Sequence, residues 1–188
     1  NLASESCPET CLRNSDDRHR HLIGDIRTMI THIGDTSNLI LDPDLDTYYL
    51  MDVTLLALPQ TQDRLQETVA YGEGVMKNGK IDIKEKIKFS EYAAMLRQSD
   101  IDRVNASALT SLNEDQNFLG ISPSLHRNIP PALKGYNLAA EEFLNILNRI
   151  VDSEGAEIKP EQYVAAGEKA IEKAFRLWEV SVEEMDKL

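Results

Sequence analysis

The sequence is short of cysteine, of positive charge and of long apolar runs, and each shortage removes a class of function. Lys and Arg together number 20 against 32 Asp and Glu, a formal charge of −12. Nucleic-acid binders carry a basic face, and anionic membrane surfaces also select for one, so both kinds of partner are disfavoured. A local cationic pocket for a small anion stays open. No run of ~18 apolar residues exists to span a bilayer, and no signal peptide is recognisable. The chain starts at Asn1 and stops in "SVEEMDKL" without a helix-ending signal, so it reads as a piece of a longer protein.

The two cysteines, Cys7 and Cys11, stand in "SCPETC". Their spacing permits a local disulfide, which would suit an exported protein, and equally permits free thiols. Adding His19 and His21 makes four possible metal ligands, but the spacing matches no usual zinc pattern, so no metal is expected. "CPETC" is followed by Leu12 rather than the His of a haem attachment motif. Gly-x-Gly-x-x-Gly, phosphate loops, Gly-x-Ser-x-Gly and His-Glu-x-x-His are all missing. Nothing points to a cofactor or a catalytic residue. The many carboxylates read as the solvated face of an acidic bundle, and His32 reads as a boundary histidine.

What is present is helical periodicity throughout. A first segment, 14–41, carries Ile23, Ile26, Ile30 and Ile33 in one stripe. In "LDPDL" Asp42 is the expected N-cap and Pro43 the first helical residue, with Asp44 and Asp46 facing the positive helix end. Tyr48, Met51, Leu55, Leu58, Leu65, Val69 and Met76 then continue a near-heptad stripe. Pro59 should kink this helix without ending it, and Gly79 should cap it. The third segment, 82–119, shows Ile87, Ala94, Ile101, Val104, Ala108 and Leu112 on one face. Ser122 and Pro123 look like a new helix start. "NIPPALKG" predicts a break, leaving 124–129 as a short turn and a fourth helix from Pro131. Gly155 and Pro160 bracket a loop before a fifth helix, marked by Val164, Gly167, Ile171, Ala174, Trp178, Val182 and Met185.

No strand alternation lasts, and no repeat or linker is visible. The expectation is a single domain, 1–188, that is all-α: an antiparallel bundle of long helices, four-helix-bundle-like, with an extra or kinked helix. Five passes place the two ends at opposite ends of the bundle, which suggests that a helix upstream of Asn1 is missing or that one break is only a kink.

One constellation stands out. Asp42, Asp46, Tyr48, Tyr49 and Asp52 crowd the start of the second segment, and Tyr48 and Asp52, four apart, should share the face of Met51 and Leu55. An inward carboxylate needs partners, and Arg97, Arg103 and Arg127 are the candidates. The arrangement reads either as a structural link holding one end of the bundle or as a polar pocket between helices. On the second view Tyr48, Tyr49, Asp52, Arg97 and Arg103 bind a small molecule or ion. Asp52→Ala should then matter more than Asp82→Ala.

"HIGDTSNLILDPDLDTYYLMD", followed by "LLALP", resembles a motif in the extracytoplasmic regions of bacterial transmembrane receptors: methyl-accepting chemotaxis proteins, sensor histidine kinases and some diguanylate cyclases. The match covers about 21–64; beyond that only a helical pattern is shared. "AIEKAFRLWEVSVEEMDKL" looks like the helix that such receptors run into their second membrane span. The resemblance implies an all-helical periplasmic sensor between two membrane spans, homodimeric in the parent receptor, with an output domain outside this chain. A helical module that binds a protein partner and no small molecule is the alternative.

Overall fold

The computed structural model describes residues 9–41, 43–79, 81–117, 120–152 and 158–188, and these form five helices with no strand among them. Helix α1 is Glu9–Thr36, followed by a 3₁₀ turn at Leu39–Leu41. Helix α2 covers 45–77 in three parts: Leu45–Met51, a π-helical turn Asp52–Ala57, and Leu58–Lys77. Helix α3 covers 83–114 in the same way, as Ile83–Met95, a π-helical turn Leu96–Ile101, and Asp102–Glu114, and ends in a 3₁₀ turn at Asp115–Asn117. Helices α4 and α5 are Pro123–Asp152 and Pro160–Met185.

Local chemistry sets most boundaries. Asp82 Oδ1 accepts from the main-chain N–H groups of Lys84 (2.7 Å) and Glu85 (3.0 Å), and Glu85 Oε2 accepts from that of Asp82 (2.6 Å). This reciprocal box starts α3. Gly79, at φ 73, closes α2 in the left-handed conformation that glycine adopts without strain. The start of α2 departs from expectation: Leu45 is the first helical residue and Asp44 occupies the N-cap position, so Pro43 lies outside the helix. The cap assigned to Asp42 falls outside the described residues.

Helices α2 to α5 form a ring in which α2 packs against α3 and α5, and α4 against the same two. Short connections make successive helices antiparallel. The core holds Phe89, Tyr136, Phe143, Leu147, Tyr163 and Leu177. A second cluster, Leu50, Leu125, Ile129 and Val180, seals the end where α2 and α4 begin and α5 finishes. Helix α1 lies outside this ring, against the π turn and the following turns of α2. Its apolar stripe is largely turned to solvent, with Ile26, Met29 and Ile33 all exposed.

Two expectations fail for one physical reason. A π turn inserts an extra residue, which rotates the preceding stretch by about 100° relative to the following one. In α3 this brings Ile101 and Val104 into phase with Phe89 and Leu96, so Ile87 and Ala94 face outward. In α2 it brings Asp46, Leu50 and Val53 into phase with Ala57, Leu58 and Leu65 and leaves Tyr48 exposed, while Asp52 keeps its one-turn spacing from Tyr48, its N–H donating to Tyr48 O. A third expectation fails at 124–129, which is the first part of α4 and not a separate turn. Pro130 and Pro131 remove the donors for the carbonyls of His126 and Arg127, but all four residues are exposed and water can serve those carbonyls. Buried Leu125 and Ile129 hold that first stretch in line.

Candidate functional site

Pro59 has no main-chain N–H, so an unbroken α-helix around it would leave a carbonyl without a donor. The structure meets this with the π turn just before it. Leu58 N–H donates to Val53, one residue further back than in an α-helix. The carbonyl of Thr54 would next look to Pro59, which has nothing to give. The Trp178 indole takes that place, donating from Nε1 to Thr54 O at 2.9 Å. The middle of α2 is thereby tied to α5.

Asp52 opens the same π turn. Its Oδ1 accepts from Arg103 Nη2 at 2.6 Å, and its Oδ2 accepts from Ser107 Oγ at 2.7 Å and, more weakly, from Arg103 Nε at 3.4 Å. A mirror arrangement sits one turn away. The π turn of α3 carries Asp100, whose side chain is fully buried. Gln60 Nε2 on α2 donates to its Oδ1 at 3.2 Å. Arg64 Nε lies 2.7 Å from its Oδ2, but off the N–H direction, so this contact is an ion pair without a well-formed hydrogen bond. Burial pushes the Asp100 carboxyl above its ordinary value, and Arg64, Gln60, Arg27 and Arg103 pull the other way without overcoming it. On α1, Arg27 Nη1 meets Asp63 of α2 at 2.6 Å. Three arginines and three aspartates from three helices thus form one network around the two π turns.

Beneath α1 the network borders open space. A cavity of about 350 Å³ lies between α1 and the π turn of α2, lined by Gly24, Arg27, Thr28, Leu55, Gln60 and Arg103 among others. A second, of about 530 Å³, continues on the other side of the Arg27–Asp63 pair, with Arg20, Asp63, Glu67, Tyr71 and Tyr92 in its wall. Gly24 borders both, and a Cβ added there would meet nothing within 4 Å. Tyr92 donates its hydroxyl to Glu67 at 3.0 Å, and burial, followed by that bond, raises its pKa.

Of the residues singled out from sequence, Asp52 and Arg103 come together. Arg97 pairs instead with Glu141 of α4 at the surface, and Arg127 is exposed. Tyr48 and Tyr49 pack edge to face on each other, with ring centroids 5.4 Å apart, and neither is a partner of Asp52 among the described residues. Asp100, Arg64, Gln60, Arg27 and the Trp178–Thr54 link were not anticipated. A signal for Asp100 existed: it stands four residues from Leu96 and four from Val104, an acidic group inside an apolar stripe. No group of three His, Cys, Asp or Glu among the described residues is placed to hold a metal. Cys7 and the side chain of Cys11 lie outside the described residues.

Comparison with family models, with curated proteins and with solved structures finds no match for this chain. The resemblance noted at 21–64 therefore rests on the residues quoted for it.

Proposed function

We propose that this chain is the extracytoplasmic ligand-sensing domain of a bacterial transmembrane receptor, of the chemoreceptor or sensor-kinase kind, and is not itself catalytic. The observation that carries this reading is the π turn of α2. Its Leu55 and Leu56 line the cavity under α1, its Asp52 holds Arg103 on α3, and its Thr54 carbonyl is held by Trp178 on α5. Occupancy of the cavity would bear on the π turn, and the π turn bears on the closing helix. Ligand that favours one register of that turn shifts the helix by exactly its differential affinity for the two registers and no more.

Trp178 is the sole tryptophan of the chain, so it serves as a built-in reporter. Thermal shift against a panel of organic acids, amino acids, amines and inorganic anions should find a ligand that raises the melting temperature, and that ligand should change Trp178 emission. A panel with no hit would favour the alternative, a helical module for a protein partner. The exposed stripe Leu22, Ile26, Met29 and Ile33 on α1 is the observation on that side, and it equally suits pairing of two receptor copies. No helix among the described residues is long and apolar enough to cross a membrane, so attachment to one would come from flanking segments.

A further inference from the structure

We infer that the cavity between α1 and the π turn of α2 binds a small organic carboxylate, held by Arg27 and Arg103; the inference rests on the sensing function proposed above. In a chain of net charge −12, this cavity is lined by two arginines and by no carboxylate. Asp63 and Asp52 stand behind the arginines and fix them. Asp52 takes the Nε and Nη2 side of Arg103, leaving Nη1; Asp63 takes Nη1 of Arg27, leaving Nη2 and Nε. An arginine pinned on one side presents its remaining donors in a set direction, which suits the fork of a carboxylate. Gln60 donates one amide N–H to Asp100 and has a second to offer. The hydroxyls of Thr28 and Thr31 are turned into their own helix, toward the carbonyls of Gly24 and Arg27, and add no donor. Leu55 and Leu56 supply an apolar wall, which selects an anion with a short carbon body over a bare inorganic one. The volume, about 350 Å³, suits a ligand of a few carbons.

Gly24 provides the decisive variant. A Cβ there meets nothing within 4 Å and Gly24 lines the cavity, so Gly24→Leu starts a side chain at the cavity wall with room at its first atom and improves helix propensity. The experiment is calorimetric titration of the full chain with acetate, propionate and succinate. Acetamide, ethylamine and inorganic phosphate are the controls, and Trp178 emission is recorded in parallel. A carboxylate should bind, more weakly at higher salt. Arg27→Gln and Arg103→Gln should each weaken it about tenfold or more. Gly24→Leu should abolish binding with the melting temperature unchanged or higher. Absence of carboxylate binding up to about 10 mM, about a hundred times a typical working dissociation constant, overturns the inference. So does carboxylate binding that survives in both arginine variants, or phosphate binding in place of carboxylate. A neutral or cationic compound that binds and is blocked by Gly24→Leu would overturn the anion assignment and leave the sensing function standing. Carboxylate binding with Trp178 emission unmoved would leave the site standing and overturn the sensing function.

Discussion

The indole N–H of Trp178 on α5 donates to the main-chain carbonyl of Thr54 on α2, at 2.9 Å. That carbonyl lacks a helical donor because Leu58 bonds to Val53 and the next residue is Pro59. Trp178→Phe should therefore cost about 1–2 kcal/mol from the orphaned acceptor alone, with lost packing added. Pro59→Ala restores an N–H at the position facing Thr54. In that background Trp178→Phe should cost less, and urea denaturation followed by circular dichroism on the four proteins gives the coupling directly. Equal costs in both backgrounds would mean that Pro59 is not why Trp178 is needed.

Among the aspartates the structure reorders what the sequence suggests. Asp52 is partly exposed and pairs with a half-exposed Arg103, so Asp52→Ala should cost about 1 kcal/mol. Asp82→Ala removes a capping box and should cost a similar amount, about 1 kcal/mol. Asp100→Ala leaves the largely buried Arg64, 14% exposed, without its counter-charge and should cost about 3 kcal/mol. Equilibrium unfolding of the three variants tests this order, and an Asp100 variant no worse than the other two would contradict it.

The helical bundle was legible because apolar periodicity, Gly79, Asp82, Ser122 and Pro160 all mark helices and their ends in local chemistry. The π turns were not. A heptad reading placed Ile87, Ala94 and Ile101 on one face, and the inserted residue at 96–101 separates the first two from the third. Pro59 announced a disturbance in α2, but its form, a π turn served by a distant indole, depends on α5 packing nearby. The Asp52–Arg103 pair was readable from the need to satisfy an inward carboxylate. The Asp100–Arg64 pair is hidden in the sequence because the π turn at Leu96–Ile101 changes the phase of α3, and an uninterrupted heptad does not put Asp100 on the core face. Helix α1 was misjudged for another reason: its stripe is periodic, yet the face that meets α2 is the one carrying Gly24, Arg27 and Gly34.

Close approach of α2 and α5 depends on two glycines. A Cβ at Gly167 would come within 2.2 Å of Val69, and one at Gly72 within 2.2 Å of the Tyr163 ring. Gly167→Ala and Gly72→Ala should each destabilise by about 1–3 kcal/mol through overpacking. Gly74, two residues on and with nothing within 4 Å of its added Cβ, should respond oppositely. Gly74→Ala should stabilise by about 0.5–1 kcal/mol, since it gains helix propensity without a clash. Melting temperatures of the three variants separate steric fit from propensity within one helix pair.

Asp100 also sets a pH dependence with a definite sign. Burial holds its folded-state pKa above the unfolded value, against the pull of Arg64 and Gln60. The folded protein then binds the Asp100 proton more tightly than the unfolded chain does. That contribution to stability is fully present below the unfolded pKa and is lost as pH rises through the raised folded value. Glu141 and Glu184 run the other way. Arg97 holds the Glu141 carboxyl down. At Glu184 burial pushes the carboxyl up, but Lys187, Ser124 and Asn128 together outweigh it. Their stabilisation is present above the ordinary glutamate range and lost as pH falls through their lowered values, so the wild-type curve alone mixes both signs. Comparison with Asp100→Asn, which cannot titrate at that position, isolates the first. The stability of the wild type minus that of Asp100→Asn should decrease as pH rises from about 4 to about 7. A flat difference would show that Arg64 and its neighbours balance the burial of Asp100, and one that grows with pH would show that they outweigh it.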